Sequence, residues 1–152
     1  MQIQLSTWKN GRSQALPIRL EVFVKEQSIP LEMEEDRFDS LAIHAILTLQ
    51  DQVIGTARLF QEDFQSSEFM IGRLCVLKNF RQQGYGRALM NCLLDQAQKL
   101  GAKSCMIHAQ SKAKNFYASM DFSVCSPPFM EAGIEHVLMR RIFNSDAIKN
   151  LP

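Results

Sequence analysis

A short glycine-containing turn is the part of the sequence whose residue types and spacing best suit chemistry. It reads Arg-Gln-Gln-Gly-Tyr-Gly over residues 81–86 and separates an apolar stretch from a long amphipathic one. Glycine lets backbone N–H groups approach a ligand closely, and the first turn of a helix adds unpaired donors and a positive dipole end. The turn therefore predicts a main-chain site for phosphate, to which Arg81 and Arg87 would add charge-assisted hydrogen bonds.

The two common nucleotide-binding glycine motifs do not fit this turn. A Walker loop needs Gly-Lys-Ser/Thr, whereas Gly86 is followed by Arg87 and Ala88. A Rossmann fingerprint needs a third glycine after the first strand and an acid about 20 residues further on. The turn instead resembles the R/Q-x-x-G-x-G/A signature of the GNAT superfamily of N-acetyltransferases, whose loop holds the pyrophosphate of acetyl-CoA.

This resemblance implies a binding site for acetyl-CoA along one continuous piece of chain. In the family, the strand before the loop parts from the next parallel strand, here residues 104–108, and the acyl-pantetheine lies in the gap. A main-chain N–H group there would also polarise the thioester carbonyl. The implied cofactor-binding residues are Leu74, Cys75 and Val76 on the strand, and Arg81, Gln82, Gln83, Gly84, Tyr85, Gly86 and Arg87 in the turn.

A second segment, residues 113–122, resembles the A-x-x-F-Y-x-x-x-G-F segment of the same family. The resemblance implies that Asn115 and Tyr117 contact the cofactor and that Tyr117 is the general acid. A tyrosine with a pKa near 10 stays protonated at neutral pH and can protonate a departing thiolate. The alternative is that Tyr117 only joins Phe116 and Phe122 in an aromatic core. Asp121 stands where the family usually has glycine.

A third segment carries the resemblance towards the amine acceptor. Residues 21–30, followed by regularly spaced acids and a histidine, are similar to a pattern of the ElaA/YjcF-like subgroup of the family. Five acids lie between residues 31 and 39 against one arginine, Arg37, and a negative rim would attract a cationic amine. From this rim we expect substrate binding by Glu32, Asp36 and Asp39.

An alkyl ammonium with a pKa near 10.4 must lose a proton before it attacks, so some base is required. The candidates are Glu26, Glu34 and His44, and the sequence does not choose among them. A solvated acidic loop with a structural Glu26 and a core His44 is the competing interpretation.

Two functional hypotheses follow. The first is an acyltransferase that moves an acetyl group from acetyl-CoA to a primary amine of a small molecule or protein by direct attack. The second is a non-catalytic acyl-CoA-binding or sensing module on the same fold. A homodimer is compatible with either hypothesis.

Composition narrows the remaining classes. The 152 residues are 46% hydrophobic with a formal net charge of +1, which favours one domain over residues 1–152 and disfavours a nucleic-acid partner. No apolar run is long enough to span a membrane, and the N-terminus does not resemble a signal peptide, so we expect a cytoplasmic protein. The four cysteines match no zinc spacing; we expect reduced core residues and no metal.

Hydrophobic periodicity predicts the elements that position these motifs. Strands are expected at residues 3–8, 42–49, 53–61, 68–77, 104–109, 122–125 and 136–142, and helices at about 17–29, 84–100 and 112–120. We expect the tail from Asn144 to fray. The resulting order is that of an α+β fold with three α/β/α layers and a mixed, mostly antiparallel sheet, which is the GNAT acyl-CoA N-acyltransferase fold.

Overall fold

The computed structural model describes residues 1–144, which form one eight-stranded sheet with helices on both faces. The strands are β1 (Gln2–Ser6), β2 (Ile43–Leu49), β3 (Gln52–Phe60), β4 (Glu68–Val76), β5 (Ser104–Gln110), β6 (Ser123–Val124), β7 (Phe129–Glu131) and β8 (Ile134–Ile142). The α-helices are α1 (Trp8–Arg19), α2 (Leu31–Glu34), α3 (Tyr85–Lys99) and α4 (Lys114–Ala118). A π-helical segment, Leu20–Glu26, continues α1, and 3-10 turns cover Asp39–Leu41, Lys78–Phe80 and Ser111–Ala113.

The sheet has the order β1-β2-β3-β4-β5-β8-β6, with β7 paired to β8. Among the described residues, only β4 and β5 run parallel, and the other pairs are antiparallel. The larger core lies between the sheet and α3 and α4, and a smaller one packs Ile18, Val22 and Phe23 against Cys75 on the other face. The predicted three-layer fold with a mixed, mostly antiparallel sheet is confirmed.

The first helix was wrongly placed by the sequence pattern. It begins at Trp8 rather than near Pro17, because the Thr7 hydroxyl caps it by accepting a hydrogen bond from the Asn10 N–H at 3.3 Å. Gly11 is buried inside this helix. A Cβ there would lie 2.8 Å from Ser6 Oγ and 2.9 Å from Ile46 Cδ1, so this glycine permits close packing of α1 on the sheet.

The helical segment ends before Pro30, as predicted, but its last turns are π-helical. The N–H of Gln27 donates to the carbonyl of Val22, and the N–H of Ile29 donates to that of Phe23. The wider turns end at Glu26 and Gln27. Gln27 accepts a hydrogen bond from the Gln110 amide at 2.8 Å, which ties this segment to the end of β5.

The predicted meander of β2, β3 and β4 is present, with bounds that differ by a residue or two. Three smaller expectations need correction. β7 was not predicted, β8 begins at Ile134 instead of His136, and Cys125 is exposed rather than part of the core. The expected fraying of the tail falls on residues 145–152, outside the described residues. Across residues 1–144, every helix is too short or too polar to cross a membrane.

Candidate active site

A cleft opens where the parallel strands β4 and β5 separate. β4 and β5 pair over three residues, from Glu68 opposite Ser104 to Met70 opposite Met106, and then diverge. β4 continues to Val76 against β3 alone, and β5 continues to Gln110 against β8. The resulting cleft has a volume of about 860 Å³ and runs from the glycine turn to the ends of β5 and β8. The predicted separation of these strands is therefore present, and Leu74, Cys75 and Val76 line it.

The glycine turn presents an uncapped helix N-terminus to this cleft. Gly84 is the residue before α3 and has a φ of +86°, a conformation that favours glycine, and no side chain within residues 1–144 accepts from the first N–H groups of the helix. Gly86 lies within the first turn, where a Cβ would make only an ordinary contact, 3.7 Å from Phe116. The fold therefore does not require glycine at residue 86, and the free N–H donors fit an anionic ligand.

The side chains of the turn serve mainly to hold it in place. The Arg81 guanidinium donates to both carboxylate oxygens of Glu26, at 2.7 and 2.8 Å, and its Nε donates to the Val76 carbonyl at 2.9 Å. Arg87 remains at the cleft and donates to the Ser119 hydroxyl at 2.6 Å. Gln82, Gly84, Tyr85 and Gly86 also line the cleft, whereas Gln83 and Asn115 lie outside its wall.

Tyr117 reaches the cleft from the core on the α3 side of the sheet. Its ring packs against Phe116 and Phe122, with centroids 5.0 and 6.1 Å away, and the side chain is 8% exposed. Burial raises the pKa of the Tyr117 hydroxyl above its usual value. Within residues 1–144 the hydroxyl has no hydrogen-bond partner, and it is not among the enclosed polar atoms, so it faces the cleft. Tyr117 is thus both a core residue and a protonated group at the site.

The acids of the 31–39 segment do not form a free negative rim. Arg19, which is 1% exposed, donates to Glu34 Oε1 and to Asp39 Oδ1, both at 2.7 Å. Arg58 donates to both oxygens of Asp36, at 2.6 and 2.8 Å, and to Asp39 Oδ1 at 2.9 Å. We call these residues, together with Arg73, the buried ion cluster: Arg19, Glu34, Asp36, Asp39, Arg58 and Arg73. Its three arginines balance its three acids.

The ion pairs of this cluster set the pKa of each acid. Burial raises the pKa of Glu34, and the surrounding arginines only partly offset that effect. For Asp36 and Asp39 burial is the largest single effect and acts upwards, but the hydrogen bonds and the charges of the surrounding arginines together outweigh it and hold both pKa values below the usual range. Asp36 and Glu34 still border the cleft, while Asp39 is enclosed, and Glu32 lies on the exposed side of α2 away from it.

The three candidate bases are not brought together. Glu26 binds Arg81 outside the cleft wall, and that hydrogen bond lowers its pKa, which weakens it as a base. His44 is buried, its Nε2 donates to the Asp39 carbonyl at 2.9 Å, and its ring lies 4.7 Å from the tilted ring of Trp8; burial lowers its pKa. Glu34 alone borders the cleft, and both Arg19 and Arg73 occupy its carboxylate.

A histidine-carboxylate cluster that the sequence did not predict lies at the end of the cleft away from the glycine turn. His108 on β5 contacts Glu131 on β7, with Nδ1 3.0 Å from Oε1. Glu131 Oε2 lies 3.6 Å from Nε2 of His136 on β8, and all three side chains line the cleft. We call these three residues the His-Glu-His cluster. Because these residues come from three strands, no local sequence spacing predicts the cluster. The pairing of β5 with β8 would have been needed to predict it.

Cysteine and metal chemistry are limited among the described residues. Cys75 lines the cleft, but burial raises the pKa of its thiol to about 12, so it stays protonated. The pKa of the Cys105 thiol is likewise raised to about 12 by burial. No group of three or more His, Cys, Asp and Glu side chains within residues 1–144 is arranged to hold a metal ion.

Comparisons with known proteins agree with this architecture. The family model described as an acetyltransferase (GNAT) domain matches residues 9–143. YjcF of Bacillus subtilis, an uncharacterised N-acetyltransferase, is 34% identical over 84% of this chain and 89% of its own. A solved structure from Lactobacillus plantarum is 31% identical over 93% and 97% of the two chains, with a TM-score of 0.85. Escherichia coli ElaA is 26% identical over 92% and 98%, with a TM-score of 0.83.

The site therefore has the features of an acyl-transfer enzyme: a split parallel pair of strands, an uncapped helix start and a cleft that joins them. The chain belongs to the GNAT acetyltransferase family and to its ElaA/YjcF-like members. The predicted family is confirmed.

Proposed function

We propose that this protein transfers an acetyl group from acetyl-CoA to a primary amine of a small molecule or protein. The observation that carries the proposal is the continuity of one cleft, which connects the uncapped start of α3, the unpaired edge of β4 and Tyr117. The pyrophosphate would be held by the N–H groups around Gly84 and Gly86, with Arg87 nearby. The acyl-pantetheine would lie along residues 74–76.

Direct attack by the amine fits the site better than an acyl-enzyme. A nucleophilic cysteine needs a lowered pKa, whereas the pKa of the only cysteine that lines the described cleft, Cys75, is raised to about 12. In direct transfer, the amine nitrogen forms the new C–N bond as the C–S bond breaks. The departing thiolate takes a proton from Tyr117, whose raised pKa keeps that proton available at neutral pH.

Cationic acceptors are supported by charge at the end of the cleft away from the glycine turn. Glu62 and Glu131 line this end, and neither carboxylate binds an arginine within residues 1–144. These two acids, rather than the arginine-paired carboxylates of Asp36 and Asp39, supply the negative charge for an ammonium group. The apolar surface beside them comes from Met33, Phe38, Phe60 and Met70, which suits a hydrophobic body on the amine.

The test is an acceptor screen with the full chain. Acetyl-CoA is mixed with protein and a panel of polyamines, aralkylamines and lysine peptides, while free thiol is followed and products are identified by mass spectrometry. We expect thiol release above the acetyl-CoA blank with at least one amine, and an acetylated product. If acetyl-CoA binds but no amine gives thiol release, the non-catalytic binding module is the correct interpretation.

A further inference from the structure

The hydrogen bonds of the His-Glu-His cluster define which nitrogen faces the cleft. Nδ1 of His136 donates to the Ile134 carbonyl at 2.7 Å, which leaves its Nε2 towards Glu131. Nδ1 of His108 donates to Glu131 Oε1 at 3.0 Å. Nε2 of His108 is then left as an acceptor, and within residues 1–144 it has no hydrogen-bond partner. The side chain is 41% exposed and lines the cleft, so a ligand can reach this nitrogen.

We propose that His108 is the general base that takes the proton from the acceptor ammonium, and that Glu131 is the positioning residue that fixes its tautomer. The proposal rests on the proposed function. A base held by a carboxylate through its other nitrogen is the arrangement that general-base catalysis uses, since the carboxylate orients the ring and stabilises the imidazolium.

The placement of His108 on β5 puts it opposite Tyr117. Cys105, Ile107 and Ala109 face the core beneath α3, so the alternating side chains of Met106, His108 and Gln110 face the other side. Tyr117 packs in the core on the α3 side and meets the cleft from there. The base and the acid therefore approach the strand separation from its two faces. The nitrogen can be deprotonated on one face while the thiolate is protonated from the other.

The proton balance of the step is complete without a further reagent. The ammonium loses one proton to Nε2 of His108, and the nitrogen lone pair then forms the C–N bond with the thioester carbon. The C–S bond breaks, Tyr117 protonates the thiolate, and the second proton lost from the nitrogen restores Tyr117 through solvent. His108 releases its proton to water, so one proton leaves for each acetyl group transferred.

Two acids, Glu131 and Glu62, act on His108 directly, and His136 and Arg73 act on it through Glu131. Glu131 lies on β7, His136 on β8, and Glu62 follows β3, while Arg73 on β4 acts on Glu131. The hydrogen bond to Glu131 raises the pKa of His108, and the charge of Glu62 adds to that effect. A raised pKa makes the neutral imidazole a stronger base, and it should place the acid limb of the pH profile above the ordinary histidine value.

The experiment measures kcat/KM against pH with the best alkylamine from the acceptor screen, for the wild type, His108→Gln and Glu131→Gln. At pH 7, His108→Gln should lose roughly 100-fold in kcat/KM. The loss should shrink as the pH approaches the pKa of the amine, because the acceptor is then deprotonated in solution. In Glu131→Gln the acid limb should move to lower pH, because the charge that raises the pKa of His108 is gone. Acetyl-CoA affinity, measured by calorimetry, should be unchanged in both variants.

Two results would overturn the proposal. The first is a loss in His108→Gln that stays constant across the pH range or accompanies weaker acetyl-CoA binding, since either indicates a structural role. The second is an acid limb that survives in His108→Gln but disappears in His44→Gln, which would make the buried histidine the base. A wild type that acetylates no amine refutes the proposed function itself, and the two failures are thus distinguishable.

Discussion

The donor end and the acceptor end of the cleft are built in different ways. The donor end is backbone: a glycine turn, the start of α3 and the edge of β4, all within residues 72–87. The acceptor end is made of side chains from distant parts of the chain. Glu34 lies on α2, Arg58 on β3, His108 on β5 and Glu131 on β7.

This difference teaches that charge composition alone does not describe an acceptor site. The sequence predicts a negative rim from the acids of residues 31–39, but the arginines of the buried ion cluster neutralise the acids nearest the cleft. The carboxylates left for a ligand, Glu62 and Glu131, lie outside the acidic segment 31–39. The comparison predicts that substitutions at the donor end change acetyl-CoA binding and that substitutions in the buried ion cluster change stability. Substitution of Tyr117 should change the rate of the chemical step.

The largest expected effect is on catalysis. Tyr117→Phe keeps the ring that packs against Phe116 and Phe122 and removes only the hydroxyl. Turnover should fall by about 10²- to 10⁴-fold, since the thiolate loses its proton donor. The affinity for acetyl-CoA and the thermal midpoint should stay close to wild type. Weaker acetyl-CoA binding with unchanged turnover would instead place Tyr117 in the core only.

The second expected effect is on the buried ion cluster. Arg19→Met should lower the free energy of unfolding by about 3–5 kcal/mol, because Glu34 and Asp39 then share a buried site without this partner. The measurement is the denaturant midpoint at constant slope.

Arg12→Met provides the matched control for this stability measurement. Arg12 also forms a two-pronged pair, with Glu35, but its side chain is 52% exposed and the unfolding midpoint should hardly move. Equal effects of the two substitutions would mean that the cluster is not the structural element described above.

The smallest expected effect concerns Gly86 and separates stability from binding. Gly86→Ala should raise the free energy of unfolding by up to about 1 kcal/mol, because alanine favours helix and its Cβ meets no obstacle. It should weaken acetyl-CoA roughly tenfold, about 1.4 kcal/mol, because the Cβ holds the ligand away from the N–H groups. Differential scanning calorimetry and isothermal titration measure the two quantities.

The opposite signature is expected at the other end of the same helix. Gly101 has a φ of +89°, so Gly101→Ala should destabilise the fold by about 1 kcal/mol and leave acetyl-CoA binding unchanged.

If Gly86→Ala binds acetyl-CoA as tightly as wild type, the main-chain anion site does not involve close approach at residue 86.

Much of the fold and the donor end could be predicted from sequence because the signals are local. The turn at residues 81–86, the stripe of α3 and the alternation of β2 and β3 each depend on neighbours within one element. Gly101, predicted to end α3, has the left-handed φ that this position requires. The start of the first helix was misplaced because glycine disfavours a helix interior; Gly11 is needed there for close contact with Ser6 and Ile46, which no local pattern records.

The sequence by itself determined the family, most of the elements in their order and the glycine turn before α3, since the backbone conformation of a turn depends on the residues of that turn. Only the tertiary structure decided which charges are free. Arg19 and Asp39 are 20 residues apart, Arg58 and Asp36 are 22 apart, and His108 and Glu131 are 23 apart. Ion pairs and hydrogen bonds require their atoms to lie within about 4 Å, so each pairing exists only once the fold has brought these segments together.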